Sequence, residues 1–104
     1  MSWIILVVAG LFETVWALAL KESQGFSKLT PTIVFLVTLV TSMALLAVAL
    51  RELPVGTGYA VWTGIGAVGA AAAGMVWFGE PAVAGRIMPI GLIAIGIVWL
   101  ALGD

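Results

Sequence analysis

The chain contains no cysteine and no histidine, and only 9% of its 104 residues carry charge. Without cysteine there are no disulfides and no thiol chemistry. Without histidine a Ser–His–Asp triad is excluded, and the two absences together remove the usual zinc and haem ligand sets. No metal and no cofactor are therefore expected. The net charge of −1 leaves no basic surface for phosphate, so a nucleic-acid partner is excluded as well. Scarcity of charge also excludes a soluble domain, because 63% of the residues are hydrophobic and the mean hydropathy is +1.27. No soluble enzyme fits this composition, and the protein is not expected to be an enzyme.

What charge there is lies in clusters. Lys21, Glu22 and Lys28 form one, Arg51 and Glu52 a second, Glu80 and Arg86 a third, and Asp104 ends the sequence. Four apolar runs lie between them: Trp3–Leu20, Thr32–Leu50, Val55–Gly79 and Ile87–Gly103. At about 1.5 Å per residue each can cross a hydrocarbon core of roughly 30 Å, the shortest only just. The spacing predicts a single all-α membrane domain over residues 1–104, with four transmembrane helices and short loops. The first run is expected to be a retained helix and not a signal peptide, because Met1-Ser2 carries no basic side chain and the run exceeds a signal core. Prolines punctuate the pattern: Pro31 before the second helix, Pro54 between the second and third, Pro81 after the third, and Pro89 near the start of the fourth. Short loops force successive helices to alternate in direction, as an up-down-up-down bundle. Arg51 and the amino terminus then share one side, and Lys21, Lys28 and Arg86 the other, a bias small enough to specify orientation poorly.

Gly64-Ile65-Gly66-Ala67-Val68-Gly69 spells a dinucleotide-binding fingerprint, but it lies inside an apolar run with no room for a βαβ unit. Two mechanical readings are open instead. Gly64 and Gly66 can let the third helix bend, or Gly66, Ala70 and Gly74 can form a stripe of small residues for close helix contact.

One carboxylate, Glu13, stands in the middle of the first apolar run. At about 100° per residue it shares a helix face with Leu6, Ala9, Gly10, Trp16, Ala17 and Leu20. Small residues leave space around it, and Trp16 supplies an aromatic wall. Tyr59, Trp62, Thr63 and Gly66 on the third helix, with Thr38 and Ser42 on the second, complete a cavity of one acid, aromatic faces and hydroxyls. No lysine or arginine lies within the spans to pair with Glu13. An ionisable group at this depth points to function, and the surroundings suit a cation. The bland alternative is a protonated acid that hydrogen-bonds neighbouring helices together. Trp3, Trp77 and Trp99, near helix ends, suit interfacial anchors. Four short helices hardly enclose a pocket, so a site shared between two copies is expected. Gly91, Ala94, Val98 and Ala101 on the fourth helix form a narrow face for that dimer contact, with packing inside one subunit as the alternative.

These segments resemble the small multidrug resistance family over essentially the full length. The supporting stretches are F-E-T-V-W-A-L-A-L-K, G-F-S-K-L-T-P and L-P-V-G-T-G-Y-A-V-W-T-G-I-G. Trp16, Lys21 and Ser42 make the chain most similar to the guanidinium-exporter subtype. The resemblance implies an antiparallel, dual-topology homodimer in the inner membrane, exchanging protons for a guanidinium-type cation by alternating access. It implies that Glu13 is the shared proton and substrate carboxylate, that Tyr59 and Trp62 line the aromatic pocket, and that Gly64 and Gly66 are the hinge. Ser42 and Trp16 are implied to orient the carboxylate. Glu22 departs from the tyrosine common in related exporters, at a loop position. Two competing functions remain: export of quaternary ammonium or other drug cations by the same machine, and a non-transporting assembly subunit of a membrane complex.

Overall fold

The computed structural model describes residues 1–103; Asp104 lies outside the described residues. The described chain forms four helices, α1 (Ser2–Glu22), α2 (Leu29–Ala49), α3 (Val55–Trp77) and α4 (Ala84–Gly103), each long and apolar enough to cross a membrane.

The helix ends differ from the sequence expectation for identifiable reasons. Helix α1 continues through Lys21 and Glu22 until Ser23 satisfies its last turn. The Ser23 hydroxyl donates to the Leu20 carbonyl (2.7 Å) and accepts from the Phe26 N–H (3.1 Å). The chain then passes through Gln24, Gly25 and Phe26, all at positive φ. Phe26 is a costly residue for that conformation, and its ring packs on Phe35 with centroids 5.5 Å apart. Helix α2 starts at Leu29, so Pro31 is inside its first turn, where N–H groups have no helical acceptor and proline costs little. Helix α3 stops at Trp77, short of Gly79. The Phe78 and Glu80 N–H groups both donate to the Gly74 carbonyl (3.0 and 3.2 Å), a reversal that Gly79 permits with φ of 66°. Helix α4 begins at Ala84, earlier than Ile87, because the Arg86 and Ile87 N–H groups both reach the Val83 carbonyl at 2.9 Å. Pro89 is consequently within the helix and not at its start, and it removes one backbone bond there.

Contacts give the directions. Ser42 of α2 meets Ala9 of α1 while Phe35 meets Trp16, so α1 and α2 are antiparallel. Ile65, Gly66 and Gly69 of α3 meet Gly10, Glu13 and Thr14, so α1 and α3 run parallel. Helix α1 is packed between α2 and α3, and α4 touches α3 alone. The subunit measures 40 × 34 × 17 Å, and its short dimension is less than two helix diameters of about 10–12 Å. It is a shallow row in the order α2–α1–α3–α4, and not the closed bundle that short loops suggest. In lipid no hydrophobic force draws α4 across to α1 and α2, and close packing alone decides where it rests. Helix α4 has no buried residue. The core of Leu6, Ala9, Leu46, Ala49, Val61 and Trp62 lies toward the amino-terminal end of α1. There the Ser2 hydroxyl donates to Glu52 (2.8 Å), tying the start of α1 to the α2–α3 loop.

Candidate functional site

Glycines bring α1 and α3 together. A Cβ on Gly10 would stand 2.7 Å from the Ile65 side chain, one on Gly66 would fall on the Glu13 carboxyl group, and one on Gly69 would fall on the Thr14 hydroxyl. Three successive contacts thus seat the Glu13 side chain directly against the α3 backbone. Its Oε1 is buried and has no hydrogen-bond partner among the described residues. A buried acceptor left unpaired costs on the order of 1–3 kcal/mol, which a proton or a donor-bearing cation relieves. Among the described residues the one ion pair is Glu80–Arg86, so no side-chain cation neutralises Glu13.

The aromatic residues divide into two groups. Trp62 is 4% exposed, and its indole N–H donates to the Ser42 hydroxyl (3.0 Å). That hydroxyl in turn donates to the Ala9 carbonyl (2.7 Å), so one buried relay joins α3, α2 and α1. Ala9 is one turn before Glu13. Tyr59 is 55% exposed and leans on Trp62, with ring centroids 5.5 Å apart. One turn after Glu13, the Trp16 ring packs edge-on to Phe35 (5.9 Å), and its buried Nε1 has no partner among the described residues. One turn before Glu13 the α1 backbone is thus tied through Ser42 to the Trp62 indole, and one turn after it stands Trp16.

The structure does not bring every expected residue to the carboxylate. Ser42 engages Ala9 and Trp62, not Glu13. Thr38 directs its hydroxyl to its own helix, at the Val34 (2.6 Å) and Phe35 (3.3 Å) carbonyls. Gly64 receives Ile93 and Ile97 of α4, and α3 is a continuous helix through Gly64 and Gly66. On α4, Ala94 and Val98 line an apolar groove of about 330 Å³ with Leu11, Ile65, Val68, Gly69 and Ile97, while a Cβ on Gly91 would meet open space. Ala101 is half-buried farther along the same helix. Sequence reasoning missed Thr14, Gly69 and Phe35. Gly69 was visible as a glycine three residues after Gly66. Phe35, two turns before Ser42, was visible as an aromatic on the same face of α2.

The Gly66 contact makes a sharp prediction. Gly66→Ala must push the Glu13 carboxyl group aside, and we expect cation affinity to fall by about tenfold or more, the loss that one misplaced buried polar contact produces. Alanine is the better helix former by about 1 kcal/mol, so helix content should hold or rise. Ligand titration and thermal melting followed by circular dichroism measure the two effects. Unchanged affinity would show that Gly66 does not seat the carboxylate.

Comparison with known proteins places these residues in context. Residues 1–93 match the family described as Small Multidrug Resistance protein. The chain is 57% identical over 102 residues to a protein of Salmonella typhimurium named a guanidinium exporter, covering 98% of this chain and 97% of that one. It is 58% identical over 104 residues, the whole of both chains, to a guanidinium exporter of Yersinia pestis. It is 58% identical over 102 residues to a guanidinium exporter of Escherichia coli K12, covering 98% of this chain and 97% of that one.

Proposed function

Because the chain belongs to the small multidrug resistance family and is a multi-pass protein of the inner membrane, we propose that it exports guanidinium and small guanidinyl cations in exchange for protons by alternating access. Glu13 carries this reading: a membrane-embedded carboxylate, seated on glycine, with one oxygen buried and without a partner among the described residues. Guanidinium presents N–H donors in a planar fork that matches a carboxylate, and its flat face suits the tryptophans. A proton can take the same oxygen, so the two ligands exclude one another. Export follows when the loaded carboxylate faces the two sides of the membrane in turn, with α3 yielding at Gly64 and Gly66.

The working unit in this reading is a homodimer in which two Glu13 side chains share one site. A row of helices with an uncovered α4 supports it, as does the family. Gly91, Ala94, Val98 and Ala101 on α4 form the contact. The small charge bias between the two ends supports insertion in both orientations. Single cysteines placed at Gln24 or Arg51, in a chain otherwise free of cysteine, should react with an impermeant maleimide from both sides of the membrane. Labelling from one side alone would rule out the antiparallel pair. The function itself is tested in proteoliposomes, by recording proton movement driven by guanidinium and by tetramethylammonium gradients. Guanidinium-driven exchange is the expected result, and no exchange with either ion would defeat the proposal.

A further inference from the structure

The contact row between α1 and α3 continues past Glu13. Glu13, Ala17 and Lys21 follow at one-turn intervals on α1, as do Gly66, Ala70 and Gly74 on α3. Glu13 meets Gly66, and Ala17, Lys21, Ala70 and Gly74 line a cleft of about 140 Å³ whose other walls are Leu18, Phe78 and Glu80. Small residues thus line the seam from the buried carboxylate to the helix ends, a rise of about 12 Å over the eight residues from Glu13 to Lys21. At that end the Glu80 carboxyl group rests on Gly74, where a Cβ would stand 2.5 Å from its Oε1 and 2.8 Å from its Cδ. The Glu80 N–H also donates to the Gly74 carbonyl (3.2 Å), so its main chain and side chain are both held over the seam.

Glu80 already binds a guanidinium group, that of Arg86. Nη2 of Arg86 donates to Oε1 at 2.8 Å. This is one bond, not the two parallel bonds that a guanidinium and a carboxylate can form, and Arg86 Nε is buried without a partner among the described residues. The two side chains are 36% and 38% exposed, and ion pairs that open to solvent contribute little and yield to competing ions. A free guanidinium ion has the same fork and no tether to restrict its approach.

We infer that Glu80 is a second guanidinium-binding carboxylate, at the mouth of the α1–α3 seam, where Arg86 occupies the carboxylate until the substrate cation displaces it. The choice of ion rests on the exporter reading above. Lys21 on the same cleft repels the cation and keeps the site weak, which suits a position that hands its ligand to or from Glu13. Glu80 and Arg86 thus form a peripheral stage for the cation, separate from the carboxylate that exchanges protons.

The test uses the isotope-labelled full chain in bicelles, in the Glu13→Gln variant, so that the central carboxylate does not contribute. Guanidinium chloride is titrated against sodium chloride and tetramethylammonium chloride at equal ionic strength, following backbone amide resonances. Gly74, Glu80 and Arg86 should shift in a saturable way with guanidinium and beyond either control salt, and adding Glu80→Gln should abolish the response. Adding Arg86→Gln instead should tighten it by about fivefold, the change expected from removing a competing surface ion pair. A gain of that kind cannot come from a misfolded protein. Equal shifts with sodium chloride, persistence in Glu80→Gln, or no tightening in Arg86→Gln would overturn the inference. Wild-type exchange in proteoliposomes is scored separately. Exchange without the Glu80 response defeats this inference alone, whereas failure of exchange defeats the exporter reading and leaves the binding result to be judged on its own.

Discussion

Glu13→Gln should abolish exchange of guanidinium for protons while leaving the helices and their association intact. The replacement keeps the shape of the side chain, so the contact with Gly66 survives. The negative charge is lost. A cation about 4 Å from a carboxylate gains roughly 4 kcal/mol at an effective dielectric of about 20, equivalent to roughly a thousandfold in affinity. Proton coupling disappears with the charge, because an amide does not take up the competing proton. In the wild-type chain, guanidinium affinity should fall as pH falls, since protons occupy the carboxylate the cation needs. In the variant, residual binding should be weak and independent of pH. Calorimetric titration across pH values and proton flux in proteoliposomes provide the two readouts. Full exchange by the variant would remove Glu13 from the coupling and leave it as hydrogen-bonding glue between helices, whereas no exchange by the wild-type chain would favour a membrane assembly subunit.

Much of the architecture was legible because lipid imposes simple rules on a sequence. Backbone groups must be satisfied inside each span, so apolar runs between charge clusters read directly as helices. Loops too short for any other path fixed their alternating directions. Helix ends were less legible, because they depend on local hydrogen bonds that composition does not reveal. Ser23 and Gly79 ended helices through their own geometry, and Val83 started α4 early enough to place Pro89 inside it. The open row was not legible either. Nothing in the α4 sequence states whether its small residues face α3 or a second copy, and in lipid both choices satisfy the same residues.

The candidate site was legible in its charge and less so in its partners. Glu13 stood out because an ionisable group within an apolar run points to function. Gly66 was visible as a glycine of α3, yet its role against the carboxylate required the parallel α1–α3 pairing. Ser42 shows the limit of reasoning from a resemblance. The resemblance implies that Ser42 orients the carboxylate, but its hydroxyl donates to the Ala9 carbonyl and accepts from the Trp62 indole.

That arrangement changes how Ser42 bears on selectivity. Guanidinium should be exchanged in preference to tetramethylammonium, which has the same charge and no N–H donors. Against the donorless ion the buried Glu13 oxygen stays unpaired, at a cost on the order of 1–3 kcal/mol, enough for about tenfold discrimination or better. The discrimination needs a narrow slot as well as an acceptor, because a wide site lets water pair the oxygen and relieves the cost. In the proposed site Ser42 fixes the Trp62 wall, accepting its N–H while donating to the backbone one turn before Glu13. Ser42→Ala leaves that indole N–H unpartnered and frees the ring to turn, without touching the Glu13 charge or its seat on Gly66. Proton-coupled exchange should therefore survive, and the preference for guanidinium over tetramethylammonium should shrink to about threefold or less, as expected when most of one buried hydrogen bond's contribution is lost. Ser42→Thr retains the hydroxyl and should restore much of the preference. Paired flux measurements with the two ions in wild type and both variants decide the matter. Wild-type preference for tetramethylammonium would refute guanidinium as the substrate and promote drug-cation export. An unaltered ratio in Ser42→Ala would remove Ser42 and its indole from selectivity and leave discrimination to the Glu13 seat alone.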